Sequence, residues 1–417
     1  MKIKLISIFS FLLIFLISNS RTNASLTLGD AYKQAIARTE SIPIAISQLH
    51  QAEIKIKIAQ SSFRPTMTTS AIYQRQDAKI NTIGESDQLT WKLTLAQSLY
   101  SGGRDQANLN SAELDKTSSN ANLSTVKSNL YLLIAENFYS LLAVNKEIDN
   151  IDKSIELTKS RIIEIEKRMK IGKSRKIDLL AAQAQLSILQ AQQVVASGQK
   201  KIDLANFTNS TGIDEKVDLD DSISIPTNIK DLSFYLESIN TKPEILALRS
   251  ALESSRFNLK AQSAGHRPSL DLTGNLYPYR YHHQINGAEW DTNLTLTFPL
   301  YAGGVVDARI QDASEKTIQV ELQLQQNIRN AERNIINAYN NLMSSTEQVK
   351  TLEQAVSTNE QNYTEQEKDY RFNLATNLDV LQALNNFHDT KRSLDRTRYQ
   401  AMAAWAKLKA EANQTEL

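Results

Sequence analysis

Residues 104–171 read RDQANLNSAELDKTSSNANLSTVKSNLYLLIAENFYSLLAVNKEIDNIDKSIELTKSRIIEIEKRMKI. This stretch contains neither glycine nor proline. Because those two residues interrupt helices most strongly, the stretch predicts one continuous helix, about 100 Å long at ~1.5 Å per residue. Residues at alternating spacings of three and four line its C-terminal part: Ile148, Ile151, Ile155, Thr158, Ile162, Ile165 and Met169. This spacing is typical of a coiled coil or a helical bundle, so one face of the helix packs against a neighbouring helix.

The N-terminus has the layout of a secretory signal peptide. Lys2 and Lys4 precede an apolar run at residues 5–17, and small and polar residues follow it. The run is shorter than the ~20 residues that a membrane-spanning helix needs. We therefore expect residues 1–24 to be a leader, and cleavage after Ser20 or after Ala24 fits equally well. The chain has no cysteine, which excludes disulfide bonds and a lipoprotein acceptor thiol.

Composition and motifs argue against several classes of function. Forty-seven basic residues balance 46 acidic ones, so no overall charge attracts nucleic acid. No nucleotide-binding fingerprint, zinc-ligand spacing or Ser/His/Asp constellation occurs. The pair His282-His283 is interpreted as part of a polar loop. We expect neither enzyme activity nor a metal or other cofactor.

The chain contains two copies of one pattern. The recurring landmarks are Pro43 and Pro243, Arg64-Pro65 and Arg267-Pro268, residues 99–103 (LYSGG) and 300–304 (LYAGG), and Ile177-Asp178 and Leu378-Asp379. Because the offsets all lie between 200 and 203 residues, they predict tandem repeats at 25–212 and 232–417, joined by a crossover connection at 213–231. The second repeat has its own long helix at 304–372. Its three-four seam is Ile328, Ala331, Ile335, Ala338, Leu342, Ser345, Val349, Leu352 and Val356.

Each repeat also contains a predicted β-hairpin, at about 66–99 and about 269–300, with loops at 76–87 and 278–288. Apolar and polar residues alternate in the second strand of each, which places one set on one face. In the first hairpin the mainly apolar set is Leu89, Trp91, Leu93 and Leu95, and in the second it is Trp290, Thr292, Leu294, Leu296 and Phe298. Tyrosines lie near the strand ends: Tyr73, Tyr100, Tyr277, Tyr279, Tyr281 and Tyr301. A soluble sheet packed on one face is one interpretation. A lipid-facing sheet with an aromatic girdle is the other.

The number of strands constrains the second interpretation. Four strands cannot close into a barrel, for which ~8 is the smallest workable number, and lipid does not tolerate open sheet edges. If these strands are transmembrane, several chains must pool them, and three chains would supply twelve.

With these features in order and repeated, the chain resembles the TolC family of outer-membrane efflux and secretion channels over essentially its whole mature length. The resemblance implies a mainly α fold with a small β part, in which a homotrimer forms a twelve-stranded barrel and a long α-helical barrel in the periplasm. It implies that Trp91, Leu93, Leu95, Trp290, Leu294 and Leu296 contact outer-membrane lipid, with Tyr100 and Tyr301 in the girdle.

The resemblance also implies a gate at the periplasmic tips of the helical hairpins, formed in the family by Asp, Tyr and Arg side chains. Asp178 matches the Asp of the first tip, and Tyr370 and Asp379 match the Tyr and Asp of the second. The chain departs from the pattern at Ala375, where the family has Arg, and at Gln382, where it has Asp, so we expect a weaker latch. For the two Asp residues a helix N-cap is an alternative role, compatible with a gate.

The same tips are where the family meets a periplasmic adaptor protein. The matching surface comprises Lys170, Gly172, Lys173, Arg175, Lys176 and Asn373, and an ordinary solvated charge run is the alternative for its basic residues. At Gly172 a positive φ or the close approach of a partner favours the absence of a side chain, and Asn373 tolerates the left-handed conformation.

The implied function is that of an exit duct in the outer membrane of a Gram-negative bacterium, extending into the periplasm. It would serve a tripartite efflux pump or a type I secretion system, driven by an inner-membrane transporter of RND, ABC or MFS type. The alternative is a structural or adhesive surface coiled coil without channel activity. Lipid-facing hairpins distinguish the first from the second.

Overall fold

The computed structural model describes residues 25–75, 87–213, 218–221, 225, 228–280 and 289–414. The predicted leader, most of both hairpin loops, Tyr281 and the pair His282-His283 lie outside these residues. The chain is mainly helical with one small antiparallel sheet.

Eight α-helices follow one another along the described chain. They are α1 (Leu28–Arg38), α2 (Ser41–Ser61), α3 (Arg104–Lys170), α4 (Lys176–Thr211), α5 (Leu232–Glu237), α6 (Pro243–Ser263), α7 (Val305–Arg371) and α8 (Asn377–Glu411). The two long helices α3 and α7 lie where the absence of glycine and proline predicts them. Pro43 and Pro243 lie in the first turns of α2 and α6, where a proline removes no helical hydrogen bond. None of the described helices meets the length and hydropathy that a membrane-crossing helix requires.

The four strands form one sheet in the order β1-β2-β3-β4, and every neighbouring pair is antiparallel. Their bounds are β1 (Thr66–Arg75), β2 (Asp87–Tyr100), β3 (Ser269–Arg280) and β4 (Trp290–Thr297). Pairing of β2 with β3 joins the two predicted hairpins. In the described sheet, β1 and β4 each pair on one side only.

Cross-strand register places the predicted lipid-contacting side chains together. Leu276 of β3 lies opposite Leu93 of β2 on one side and opposite Trp290 of β4 on the other. Leu272 of β3 likewise lies opposite Gln97 of β2 and Leu294 of β4. Because direct cross-strand partners share a face, Trp91, Leu93, Leu95, Trp290, Leu294 and Leu296 all lie on one face. All of these except Leu93, which is half-buried, are exposed in the single chain.

The opposite face of the sheet is polar and hydrogen-bonded. The Thr94 hydroxyl donates to the Asn275 side chain over 2.8 Å, and the Asn275 amide donates to Asp291 over 2.7 Å. The Asn293 amide reaches the same Asp291 oxygen at 3.0 Å. The sheet therefore has an apolar face that no other described element covers and a polar face with an internal hydrogen-bond network.

Two details of the predicted strands are corrected. Pro278, predicted to begin a loop, lies within β3 at a bulge opposite Lys92, where the missing N–H of proline costs no ladder hydrogen bond. Phe298, predicted as the end of the last strand, follows β4, and Tyr301 lies in the turn before α7.

The Gly-Gly pairs before α3 and α7 are explained by backbone conformation. Gly102, Gly103, Gly303 and Gly304 have φ values of 70°, 89°, 60° and 79°. At Gly102 a side chain would also collide with Arg267, whose Cβ would lie 2.8 Å from an added Cβ. The Arg267 guanidinium donates to the Gly102 carbonyl over 3.2 Å, so the Arg-Pro landmark contacts the Gly-Gly landmark.

The described residues divide into two compact units. The first unit comprises those up to Thr39, Leu130–Thr227 and Asn341–Ala406, and the second comprises Glu40–Asn129, Asn228–Asn340 and the residues from Lys407. In the first unit, the predicted α3 seam is buried or half-buried, with Ile151 and Ile155 packed on Leu189 and Ala196 of α4. Nearer the hairpin turns, Ile165 of α3 meets Ala182 of α4 and Leu381 of α8.

Candidate functional site

The candidate site is formed by two turns in the first unit. The first turn (Ile171–Arg175) joins α3 to α4, and the second turn (Phe372–Thr376) joins α7 to α8. In the first, the Lys173 N–H donates to the Arg168 carbonyl over 2.9 Å; in the second, Leu374 donates to Asp369 over 2.8 Å. Both bonds close the C-terminus of a long helix in the same way.

Each turn depends on one residue in the left-handed region. Gly172 has φ 71° and Asn373 has φ 63°. No described atom lies within 4 Å of the position that a Gly172 side chain would take, so within this chain the backbone angle, and not crowding, favours glycine. Asn373 is accepted at the matching position because asparagine tolerates this conformation better than most residues do.

Asp178 and Asp379 cap their helices, although not as N-cap residues. Each lies three residues after the cap, where its carboxylate accepts the N–H of the preceding turn: Arg175 N at 2.9 Å for Asp178 and Thr376 N at 2.8 Å for Asp379. The Thr376 hydroxyl also donates to Asp379 over 2.6 Å. The predicted N-cap role is therefore corrected to the reciprocal position of a capping box.

The two carboxyls differ in exposure. Only 12% of the Asp178 side chain is exposed, and burial alone would raise its pKa, but hydrogen bonds from the Arg175 backbone and side chain lower the pKa below its usual value. Asp379 is exposed, and hydrogen bonds from the Thr376 side chain and backbone lower its pKa. Within one chain both groups are thus stabilised as carboxylates.

Tyr370, the third predicted gate residue, packs against two arginines of α3. The guanidinium carbons of Arg161 and Arg168 lie 4.0 Å and 4.2 Å from the centre of its ring. Tyr370 is 5% exposed and Arg161 is 7% exposed. Two arginines of α3 are thus the cations that lie over the ring of this tyrosine.

The same arginines contact the second turn and the start of α8. Arg161 Nε donates to Asn377 over 3.2 Å, and Arg168 donates to Asn373 over 2.5 Å. Asn377 in turn donates to the Asp178 carbonyl over 3.2 Å. Tyr370 is thus linked to Asn373 through Arg168, and to Asp178 through Arg161 and Asn377.

Sequence reasoning assigned no role to Arg161 or Asn377. The available signal was the position of Arg161, beside the seam residues Thr158 and Ile162, where a charged side chain in a coiled-coil interior needs a partner. Asn377 carried no such signal, since its partners come from α3 and α4.

The predicted docking residues are exposed: Lys170, Gly172, Lys173, Arg175, Lys176 and Asn373. Large apolar side chains that had no predicted role are exposed in the turns, namely Ile171, Phe372 and Leu374, and in the first turns of α4 and α8, namely Ile177 and Leu378. The surface at the turns therefore combines positive charge with apolar area.

One buried histidine lies on α8 of the same unit. His388 has a buried Nε2 atom that finds no hydrogen-bond partner among the described residues. Burial, together with the nearby Arg392 and Lys391, lowers its pKa to about 4. The imidazole is therefore neutral at neutral pH.

Known proteins resemble the chain in sequence and in fold. It is 22% identical over 388 residues to the outer membrane protein TolC of Vibrio cholerae, covering 89% of this chain and 87% of that protein. It is 21% identical over 252 residues to the proteases secretion protein PrtF of Dickeya chrysanthemi, covering 58% of this chain and 54% of PrtF. The structure of the outer membrane protein VceC from Vibrio cholerae matches with a TM-score of 0.80 at 17% identity, covering 92% of this chain and 95% of VceC.

The family model described as outer membrane efflux protein matches residues 31–213 and 235–414. These ranges include all four strands and both turns of the candidate site. The chain therefore belongs to the outer membrane efflux protein family, and it is an outer-membrane protein that extends into the periplasm.

Proposed function

We propose that the chain is the exit duct of an efflux or secretion system, a homotrimer that passively conducts substrates from the periplasm to the exterior. The observation that carries this proposal is the four-stranded sheet, which among the described residues has one uncovered apolar face, one polar face and two open edges. Membership of the efflux family supports the same conclusion.

The sheet supports a pooled barrel for a physical reason. An uncovered apolar face is stable against lipid, but lipid leaves unpaired strand edges without hydrogen-bond partners. Pairing β4 of one copy with β1 of the next would satisfy both edges, and three copies would close twelve strands around the polar face. Trp91, Leu93, Leu95, Trp290, Leu294 and Leu296 would then contact lipid, with Tyr100 and Tyr301 near the membrane surface.

The first unit offers separate support for association of copies. Besides its buried seam, α4 carries a second three-four seam in which every residue is exposed: Ile177, Leu180, Ala184, Ile188, Ala191, Val195, Gly198 and Ile202. A helix with two such seams packs between two neighbours. Because the described residues cover only one of these seams, a second copy is the occupant that we infer for the other, and the helices would together enclose a tunnel.

The two repeats and the two turns would each have a part in the duct. The two repeats, 25–212 and 232–417, would each contribute a β-hairpin and a helical hairpin. Asp178, Tyr370 and Asp379 would form the gate at the tunnel end. The basic and apolar surface of the turns would bind a periplasmic adaptor, which links the duct to an inner-membrane transporter that supplies the energy.

Planar-bilayer recording tests the proposal. Purified protein should insert and give single-channel openings, and a Tyr370→Leu variant, in which the gate is loosened, should open more often. A structural or adhesive coiled coil would give no current with either protein. Absence of current from both, with the assembly intact, would refute the duct.

A further inference from the structure

We propose that Arg161 and Arg168 form a cation–π clasp on the ring of Tyr370 that holds the second turn against α3 in the non-conducting state. This inference rests on the proposed gate and specifies how that gate is held. It reverses the expectation of a weak latch, which followed from Ala375.

The geometry of the clasp is favourable. Both guanidinium carbons lie within about 4 Å of the ring centre, at 4.0 Å and 4.2 Å, and the ring is almost completely buried. A cation over an aromatic face is attracted by the ring quadrupole, and the attraction strengthens when water is excluded. Arginine suits this contact because its planar group stacks and still donates hydrogen bonds at its edge.

The hydrogen bonds donated by the guanidinium edges extend the clasp into the second turn and to the start of α8. Arg168 donates to Asn373 within the turn, and Arg161 donates to Asn377, the first residue of α8. Tyr370 itself lies near the end of α7. Any motion that separates the α7–α8 hairpin from α3 must therefore break contacts on α7, on the turn and on α8.

The contact uses the face of the ring and not the hydroxyl. The Tyr370 hydroxyl is buried and has no hydrogen-bond partner among the described residues. If the latch depended on a hydrogen bond from this hydroxyl, an acceptor would lie within hydrogen-bond distance of it, and none of the described residues supplies one. Phenylalanine should therefore substitute for Tyr370, whereas an aliphatic residue should not.

The clasp is also incompletely satisfied, which makes it reversible. Arg161 Nη2 and Arg168 Nε are buried without partners in the described part of the chain. Glu164, 2.9 Å from Arg161, is the one carboxylate within 4 Å of either guanidinium in that same part. Water would satisfy these donors once the hairpin moved away, so release regains hydrogen bonds that the packed state lacks.

Single-channel recording on matched variants tests the clasp. Tyr370→Leu, and separately the double variant Arg161→Met with Arg168→Met, should raise the open probability by roughly tenfold to a hundredfold, as expected for the loss of two cation–π contacts. Tyr370→Phe should stay as closed as the wild type. Methionine keeps much of the volume of the buried side chains, so the double variant should still fold, and its assembly mass and a denaturant titration check that a change in opening is not a loss of the assembly.

Each other outcome overturns the inference in a recognisable way. If Tyr370→Phe opens the channel as Tyr370→Leu does, the hydroxyl and not the ring face holds the gate. If Tyr370→Leu and the methionine pair stay closed while currents otherwise persist, the clasp is refuted and the duct stands. If no variant and no wild-type protein conducts, the proposed function itself fails.

Discussion

Arginine in place of Leu294 tests whether the apolar face of the sheet contacts lipid. Leu294 is 62% exposed in the single chain and is the fifth of the eight residues of β4. The strand is about 26 Å long at ~3.3 Å per residue, and with the ~40° tilt of barrel strands it spans about 20 Å of the ~25 Å apolar band. Leu294, near the centre of the strand, should therefore lie near the bilayer midplane.

The expected cost follows from that depth. Arginine near the midplane of a transmembrane barrel costs ~2–4 kcal/mol, a factor of roughly 30 to 900 in the folding equilibrium of each chain. A trimer carries the substitution three times, so the cost should be ~6–12 kcal/mol per assembly.

Thr295→Arg is the matched control, because the adjacent side chain points to the polar face of the same strand. The assay is urea titration of protein refolded into lipid vesicles, with the assembled fraction measured at each concentration. We expect Leu294→Arg to lower the stability strongly and Thr295→Arg to leave it near the wild-type value. Equal stabilities for the two variants would refute the assigned face.

Three further predictions concern the first unit. Asp178→Asn with Asp379→Asn should weaken cation selectivity in bilayers, because the double variant removes six carboxylates per trimer from a narrow ring that would select cations. A capping role alone predicts lower stability with an unchanged reversal potential. Lys173→Glu with Lys176→Glu should abolish export and adaptor crosslinking in cells while conductance stays nearly unchanged, because Arg175 keeps its bonds to Asp178. Normal export would dismiss the docking surface. The pKa of His388 is about 4 in the folded chain and ~6.5 ordinarily, so the unfolded chain binds the proton first and the stability should fall as the pH drops from ~6.5 to ~4, by up to about 3 kcal/mol per chain. Denaturant titrations at pH 7 and pH 4.5 should show that His388→Gln removes much of this loss. An equal loss in both proteins would contradict the assignment.

The elements of the fold were predictable because each depends on local pattern. Long runs without glycine or proline predicted α3 and α7, and period-two alternation predicted the face that carries Leu93 and Leu294. The left-handed turns followed from Gly172 and Asn373. Pro278 was misjudged because a bulge, which depends on the register of a distant strand, allows proline inside β3.

The candidate site was less accessible to sequence reasoning because its contacts join four helices. Tyr370 and the two Asp residues were identified by resemblance, but the arginines that pack on Tyr370 come from α3, about 200 residues earlier in the chain. No spacing within α7 or α8 indicates them. The exact capping position of Asp178 likewise depends on where α4 begins, and helix boundaries are the least certain feature of a sequence-based prediction.

The central claim is that three copies pool their strands and helices into one duct, and native mass spectrometry of the detergent-extracted protein tests it most directly. We predict a single assembly with the mass of three chains, because the four described strands leave two open edges and cannot close alone, and because one apolar seam of α4 stays exposed among the described residues. A stable monomer, or an assembly of any other number of copies, would contradict the account.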